Sequence, residues 1–181
     1  DGLQKGFNCE GHPILFEHLQ SYLQAFYYIE NVKIDGENVD SEDWVGAFNG
    51  DVCVGAYKWD TNGCNNDHCS ISVNGYDGNG GICENGNATN EVDCIDAGLN
   101  WIESPLQGYL LEGEVPTFKI FDLSEGEYYN ATSGETIPAG EDDGFSHNQY
   151  IVYDALNADF DCNGDLFVWG NTSDGMVPPI V

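Results

Sequence analysis

Three observations predict an all-β fold. Short apolar stretches rich in Val, Ile, Tyr and Phe alternate with polar residues, as strands do when one face meets a core. Eighteen Asn and 23 Gly punctuate these stretches with turn chemistry. No long stretch shows an unambiguous helical period. Short strands spaced by about ten residues favour an antiparallel β-sandwich, immunoglobulin-like or jelly-roll-like, here with a disulfide-closed loop insertion. Residues 1–21 read as an N-terminal arm, 22–175 as the sandwich domain with its insertion at 78–104, and 176–181 as an apolar tail.

The elements follow in chain order. Ile14 to Leu23 fits two patterns, because Leu15, Leu19, Tyr22, Leu23 and Phe26 also form a helical stripe; an extended chain is expected from Tyr22 onward. Ala25 to Ile34 reads as a strand. The clearest hairpin is Trp44 to Phe48 and Asp51 to Ala56 around Asn49-Gly50, a pair that accepts positive φ at both central positions of a type I′ turn. Cys69 to Asn74 is a further strand. From Asp77 to Ser104 the composition shifts to Gly, Asn and acids, and Cys83 and Cys94 would close that insertion. Val115 to Phe121 and Glu127 to Tyr129 form a second pair across the turn Asp122 to Gly126, with Pro116 near the strand's start or on an edge. Tyr150 to Tyr153 and Leu166 to Trp169 complete the set.

Charge narrows the partners. The 181 residues carry 32 Asp and Glu against 4 Lys and no Arg, a net charge of −28. Nucleic acids are bound through Lys and Arg on phosphates, and anionic membrane surfaces attract basic clusters, so neither is an expected partner. Carboxylates a few ångströms apart repel by about 1 kcal/mol per pair even in bulk water, which makes divalent cations the natural neutralisers. No run of 18 apolar residues is present to span a membrane. The start at Asp1, without a signal peptide, reads as a mature or trimmed chain.

Seven cysteines and three Asn-x-Ser/Thr sequons, at Asn87, Asn130 and Asn171, point to an oxidising, extracellular setting. Cys64 with Cys69 and Cys83 with Cys94 are close enough to bridge locally. Cys9 with Cys162 would tie the N-terminal segment to an acidic loop, and Cys53 competes for a partner. Seven is odd, so one thiol is free, buried or bonded to another chain. Zinc is the alternative for Cys64, Cys69 and His68, although a paired C-x-x-C arrangement is missing.

The string Gln24-Ala25-Phe26-Tyr27-Tyr28, then Asp35-Gly36, then Asp43 to Ala56 with Trp59-Asp60, resembles a module of large secreted and cell-surface proteins of aquatic microbes. Gly108-Tyr109 followed by Pro116 to Asp122 is similar to the second half of that module. The likeness covers about Tyr22 to Tyr129 and is densest from Asp43 to Asp60; the insertion departs from simpler versions. It implies an extracellular β-sandwich of structural or adhesive use, without catalytic residues. In kind, the chain is also similar to the subunits of glycan-coated extracellular fibrils.

Asp159-Phe160-Asp161-Cys162-Asn163-Gly164-Asp165-Leu166 spaces oxygens from Asp159, Asp161, Asn163 and Asp165 for one Ca²⁺, with Gly164 allowing the sharp turn. Position twelve is Gly170, so the usual bidentate carboxylate is missing and Asp174 would have to substitute. A second set of oxygen donors runs through Asp60 to Asn62, Asn65 to Asp67 and Asp77 to Asn79; solvated loops are the simpler account of it. Motifs for an active-site serine, a zinc protease or a phosphate loop are lacking, and no enzyme is expected. Of four tryptophans, Trp44 and Trp59 read as core, and Trp101 reads as the surface candidate for stacking on a sugar. The apolar Ile14 to Ile29 and Met176-Val177-Pro178-Pro179-Ile180-Val181 are costly to leave in water and would supply strands to a neighbouring copy or pack on their own domain. The expectation is a structural subunit of an extracellular filament or cell-surface assembly, self-associating, disulfide-stapled, Ca²⁺-supported and glycosylated. The alternative is a carbohydrate-binding or adhesive module of a secreted protein.

Overall fold

The structure is a computed structural model and describes residues 6–8, 11–60, 62, 64, 69–78, 80–84 and 90–159. Among these residues the chain forms a 3₁₀ turn at Ile14–Phe16 and then β1 (Gln24–Ile34), β2 (Glu37–Asn38), β3 (Trp44–Asn49), β4 (Val52–Lys58) and β5 (Cys69–Asn74). The insertion supplies β6 (Gly81–Cys83), helix α1 (Glu91–Asp96) and β7 (Trp101–Glu103), and β8 (Thr117–Asp122), β9 (Glu127–Ser133) and β10 (Tyr150–Ala158) follow. The expected strand at Leu166 to Trp169 and the apolar tail lie outside the described residues.

Turn chemistry explains the strand ends, with one correction. The pairing of Asn49 with Val52 makes Gly50-Asp51 the two-residue loop, rather than Asn49-Gly50. Only Gly50 is left-handed there, at φ 58°, which fits a type II′ turn. Asn49 is held in the strand instead, its amide donating to Gly108 O and Glu114 Oε2, both at 3.2 Å. The turn with positive φ at both central positions is Asp35-Gly36, at 48° and 81°, between β1 and β2. At Asp122 the carboxylate accepts from the amides of Ser124 and Glu125, closing the β8–β9 turn. Helix α1 begins at an N-cap, Asn90, whose side chain accepts from Asp93 N. Six residues are too few to reveal a helical period, which is why the sequence reading passed over it.

One eight-stranded sheet runs β2-β1-β10-β9-β8-β3-β4, with β5 also paired to β1, while β6 and β7 make a separate two-stranded sheet. The expectation of an antiparallel sheet fails at one place: β1 and β10 run parallel, from Phe26 beside Tyr150 to Ile34 beside Ala158. Strands so distant in sequence are not joined by a hairpin, so the chain is free to return in the same direction. Strand β9 pairs with β8 through Ala131 and with β10 from Thr132, carrying the sheet around a bend. The sheet curls until β4 lies against β5. A Cβ added to Gly55 would come within 2.3 Å of Ser72 O, so only glycine allows this approach.

Both faces of β3 are covered. Val45 and Ala47 join Tyr27, Ile29, Val54, Ile71, Phe118, Ile120, Tyr153 and Leu156 in the main core. On the other face Phe48 packs with Phe16, Cys53 and Phe121, and Phe7 and Tyr128 border them. Cys53 and Val54 face opposite clusters, as neighbouring strand residues do, and a register shift between Ala47 and Phe48 leaves Val54 as an extra residue in β4. Phe16 lies so close to Gly46 that a Cβ there would be 2.8 Å from its ring. The N-terminal segment therefore packs on its own domain, from the 3₁₀ turn onward.

Candidate functional site

The predicted site residues fall in different places. Asp159 is half-buried just past the end of β10, next to Ala158, which pairs with Ile34. Asp161, Asn163 and Asp165 lie outside the described residues, as do Cys9, Cys162, Asn87 and Asn171. Among the described residues no three His, Cys, Asp or Glu side chains gather as a metal group. Asp60 is used locally, accepting from the backbone and side-chain amides of Asn62 at 3.1 and 3.3 Å. Asn130 is exposed on β9, and its side-chain oxygen accepts from Lys119 Nζ.

Two of the expected bridges form. Cys64 joins Cys69 and Cys83 joins Cys94, so no thiolate is left at that first pair for zinc. The second bridge pins α1 to β6 and gives the insertion an anchor of its own. These bonds fit an oxidising compartment. Cys53 is a free thiol, buried, and burial pushes its pKa up to about 11, so it stays protonated and inert at neutral pH. No described helix is long and apolar enough to cross a membrane.

Trp59 is core and Trp44 packs against the second cluster, as expected, whereas Trp101 is less open than a surface candidate. Trp44 is half-buried with its ring 5.1 Å from that of His12, and Trp101 is half-buried against Gly81. Among the described residues the exposed Phe, Tyr and Trp side chains are tyrosines, Tyr22 at 69%, Tyr150 at 66% and Tyr57 at 39%. Phe26 and Tyr28 flank Tyr150 with ring centroids 5.4 and 6.1 Å away and planes 18° and 30° apart. Rings in such a rack cover part of one another's faces, so the row offers edges and hydroxyls more than open platforms.

Among the described residues a groove of about 990 Å³ lies between the N-terminal segment and the start of β4. Ile14, Leu15 and Leu19 form one wall, with Val52 and Cys53 opposite and Tyr109 among the remaining lining residues. Ile14 is 50% exposed, and Leu15 and Leu19 are each 51% exposed. Four polar clamps hold this wall in place. The Tyr109 hydroxyl accepts from Leu19 N at 2.6 Å and donates to Leu19 O at 3.1 Å. Tyr128 OH accepts from Leu15 N, Asn8 Nδ2 donates to Glu17 Oε1 at 2.8 Å, and Asn74 Oδ1 accepts from Ser21 N at 2.9 Å. Asn74 is fully buried, and its amide donates to Val54 O at 2.8 Å, so one side chain joins β5, β4 and the N-terminal segment. The sequence carried the apolar character of this segment but not the groove, whose walls come from three separated stretches.

Charged groups elsewhere serve the fold. Asp43 is buried, accepts from Asp40 N at 2.8 Å and Leu123 N at 2.9 Å, and has its pKa raised because desolvation outweighs those two bonds. Tyr27 and Tyr153 are buried and held far above the usual phenol range, first by desolvation and then through Asp143. Tyr27 donates to Asp143 O and Tyr153 to Asp143 Oδ2. This arrangement ties the 136–149 connection to the core. Comparison with known protein families, with curated proteins and with solved structures returns no match for this chain.

Proposed function

We infer that the protein is a structural subunit of an extracellular filament or cell-surface assembly. The observation that carries this reading is the ridge of Ile14, Leu15 and Leu19, each about half exposed and held rigidly beside a groove on a chain of net charge −28. Apolar groups left open on an otherwise highly charged surface mark a place where something docks. The bridged framework suits a secreted protein, and the curled sheet is read as a β-sandwich in which β9 crosses between layers. Ca²⁺ at Asp159, Asp161, Asn163 and Asp165 and glycans on Asn87, Asn130 and Asn171 belong to the same proposal. Cations would screen neighbouring carboxylates, which otherwise oppose association. Electron microscopy and sedimentation of the purified chain over rising concentration test it: ordered fibres or large oligomers are expected, and persistent monomers overturn it. In the same series a chelator should lower the melting temperature, and an unchanged transition removes Ca²⁺ from the proposal.

A second reading, a carbohydrate-binding or adhesive module, is favoured by the exposed Tyr22 and Tyr150. The partial stacking of Tyr150 between Phe26 and Tyr28 makes it the weaker reading. A glycan array in which Tyr150→Ala abolishes a signal would raise it above the first.

A further inference from the structure

We propose that the groove between Ile14–Gln20 and the start of β4 is the receiving half of a head-to-tail joint, and that its occupant is the segment Met176–Val181 of a second copy. This rests on the assembly reading above and names its contact.

Position argues for the second copy. The groove wall at Leu19 and Gln20 leads into Ser21, bonded to Asn74, which pairs with Gln24 at the start of β1. The described chain leaves the sheet at Asp159, beside Ala158 and Ile34 at the other end of β1. Eleven extended residues separate these ends by roughly 36 Å. A tail from the same chain must turn back along the whole strand, whereas the tail of a copy stacked along the strand axis starts at the groove. Residues 160–175 span up to about 53 Å when extended, so linker length sets no limit on the joint and the route of the chain decides between the two.

Chemistry argues for this segment. Met176-Val177-Pro178-Pro179-Ile180-Val181 has no charged side chain, so its side chains bring no like charge into a strongly anionic molecule. Its two prolines restrict the backbone and lower the entropy lost on docking. Val52 and Cys53 begin β4, the last strand of the sheet path, and an extended segment could lie along that strand with Val177 and Ile180 against Leu15, Leu19 and Val52. A joint of this kind does not close on itself and so propagates.

Two variants of the full chain test the joint: one lacking Met176–Val181, with its groove intact, and Leu19→Asp, with its tail intact. Leu19 is 51% exposed, so its replacement should leave the melting transition in place. Each variant alone is expected to sediment as a monomer, and their mixture should give one-to-one dimers that grow no further. A synthetic peptide of residues 170–181 should bind the deleted variant saturably, and at least tenfold more weakly once Leu19→Asp is added. Undiminished assembly of the deleted variant, no dimer in the mixture, or peptide binding indifferent to Leu19 each overturns the joint while leaving assembly by another surface standing. Wild-type chain that stays monomeric although the peptide binds shows a same-chain return, which overturns both the second-copy joint and the assembly reading.

Discussion

Asn74 concentrates three separate obligations in one side chain, since Ser21 N, Gln24 Nε2 and Val54 O all depend on it. Truncation to alanine strands a backbone donor and a backbone acceptor in a fully buried place. Each such orphan costs about 1–3 kcal/mol, so Asn74→Ala should lower stability by about 2–6 kcal/mol in denaturant unfolding. The loss should also free the Ile14–Gln20 wall, read as faster hydrogen exchange there, whereas a variant with normal exchange would deny Asn74 its clamping role. Asp43 differs in kind. It accepts two backbone bonds yet pays desolvation, so its role is to fix the geometry of the β2–β3 and β8–β9 turns rather than to add stability as an ionised group. Neither residue announces itself in the sequence, because an Asn in a turn-rich chain and an Asp before a strand look like every other one.

At the scale of elements, the insertion behaves as an attachment. Strands β6 and β7 pair only with each other, and the Cys83–Cys94 bond ties them to α1. Replacing both cysteines by alanine removes about 3 kcal/mol of loop constraint from that unit. Proteolysis between residues 84 and 100 should accelerate sharply while the main melting transition moves little; a collapse of that transition would show the insertion to be integral. What the sequence disclosed about elements follows the range of the interactions. The β3–β4 and β8–β9 hairpins, β5 and both short-range disulfides were legible, because alternation, turn residues and cysteine spacing are local. The β1–β10 pairing was not, since nothing within Gln24 to Ile34 specifies a partner at Tyr150. The Gly50-Asp51 loop was misplaced by one residue because tertiary bonds to Gly108 and Glu114 hold Asn49 in β3. The candidate groove stayed hidden for a related reason: its apolar wall was visible, but the strand and connection that face it are brought there by the fold.

For the whole molecule, the buried phenols and thiol set an alkaline limit. Burial raises the pKa values of Tyr27, Tyr109, Tyr128, Tyr153 and Cys53, whereas at Tyr129 the bond to Glu125 is the first cause of the rise. The unfolded chain therefore loses these protons first, so their stabilisation is complete below the unfolded values of 9.0 for the thiol and 10.0 for the phenols and is lost as pH rises. Melting temperature measured from pH 8 to 12 should fall steeply above about pH 10, and Tyr153→Phe should flatten that limb while lowering stability at neutral pH through the unpaired Asp143. A flat profile in the wild type would contradict the burial of these hydroxyls. The parallel pair bears on how such a chain is made. Because the strand at residues 24–34 takes one of its partners from residues 150–158, that parallel pairing cannot form until the later strand has been made. The two short-range disulfides, Cys64–Cys69 and Cys83–Cys94, join residues that are all made before that strand, so both can be set while its place beside β1 is still empty.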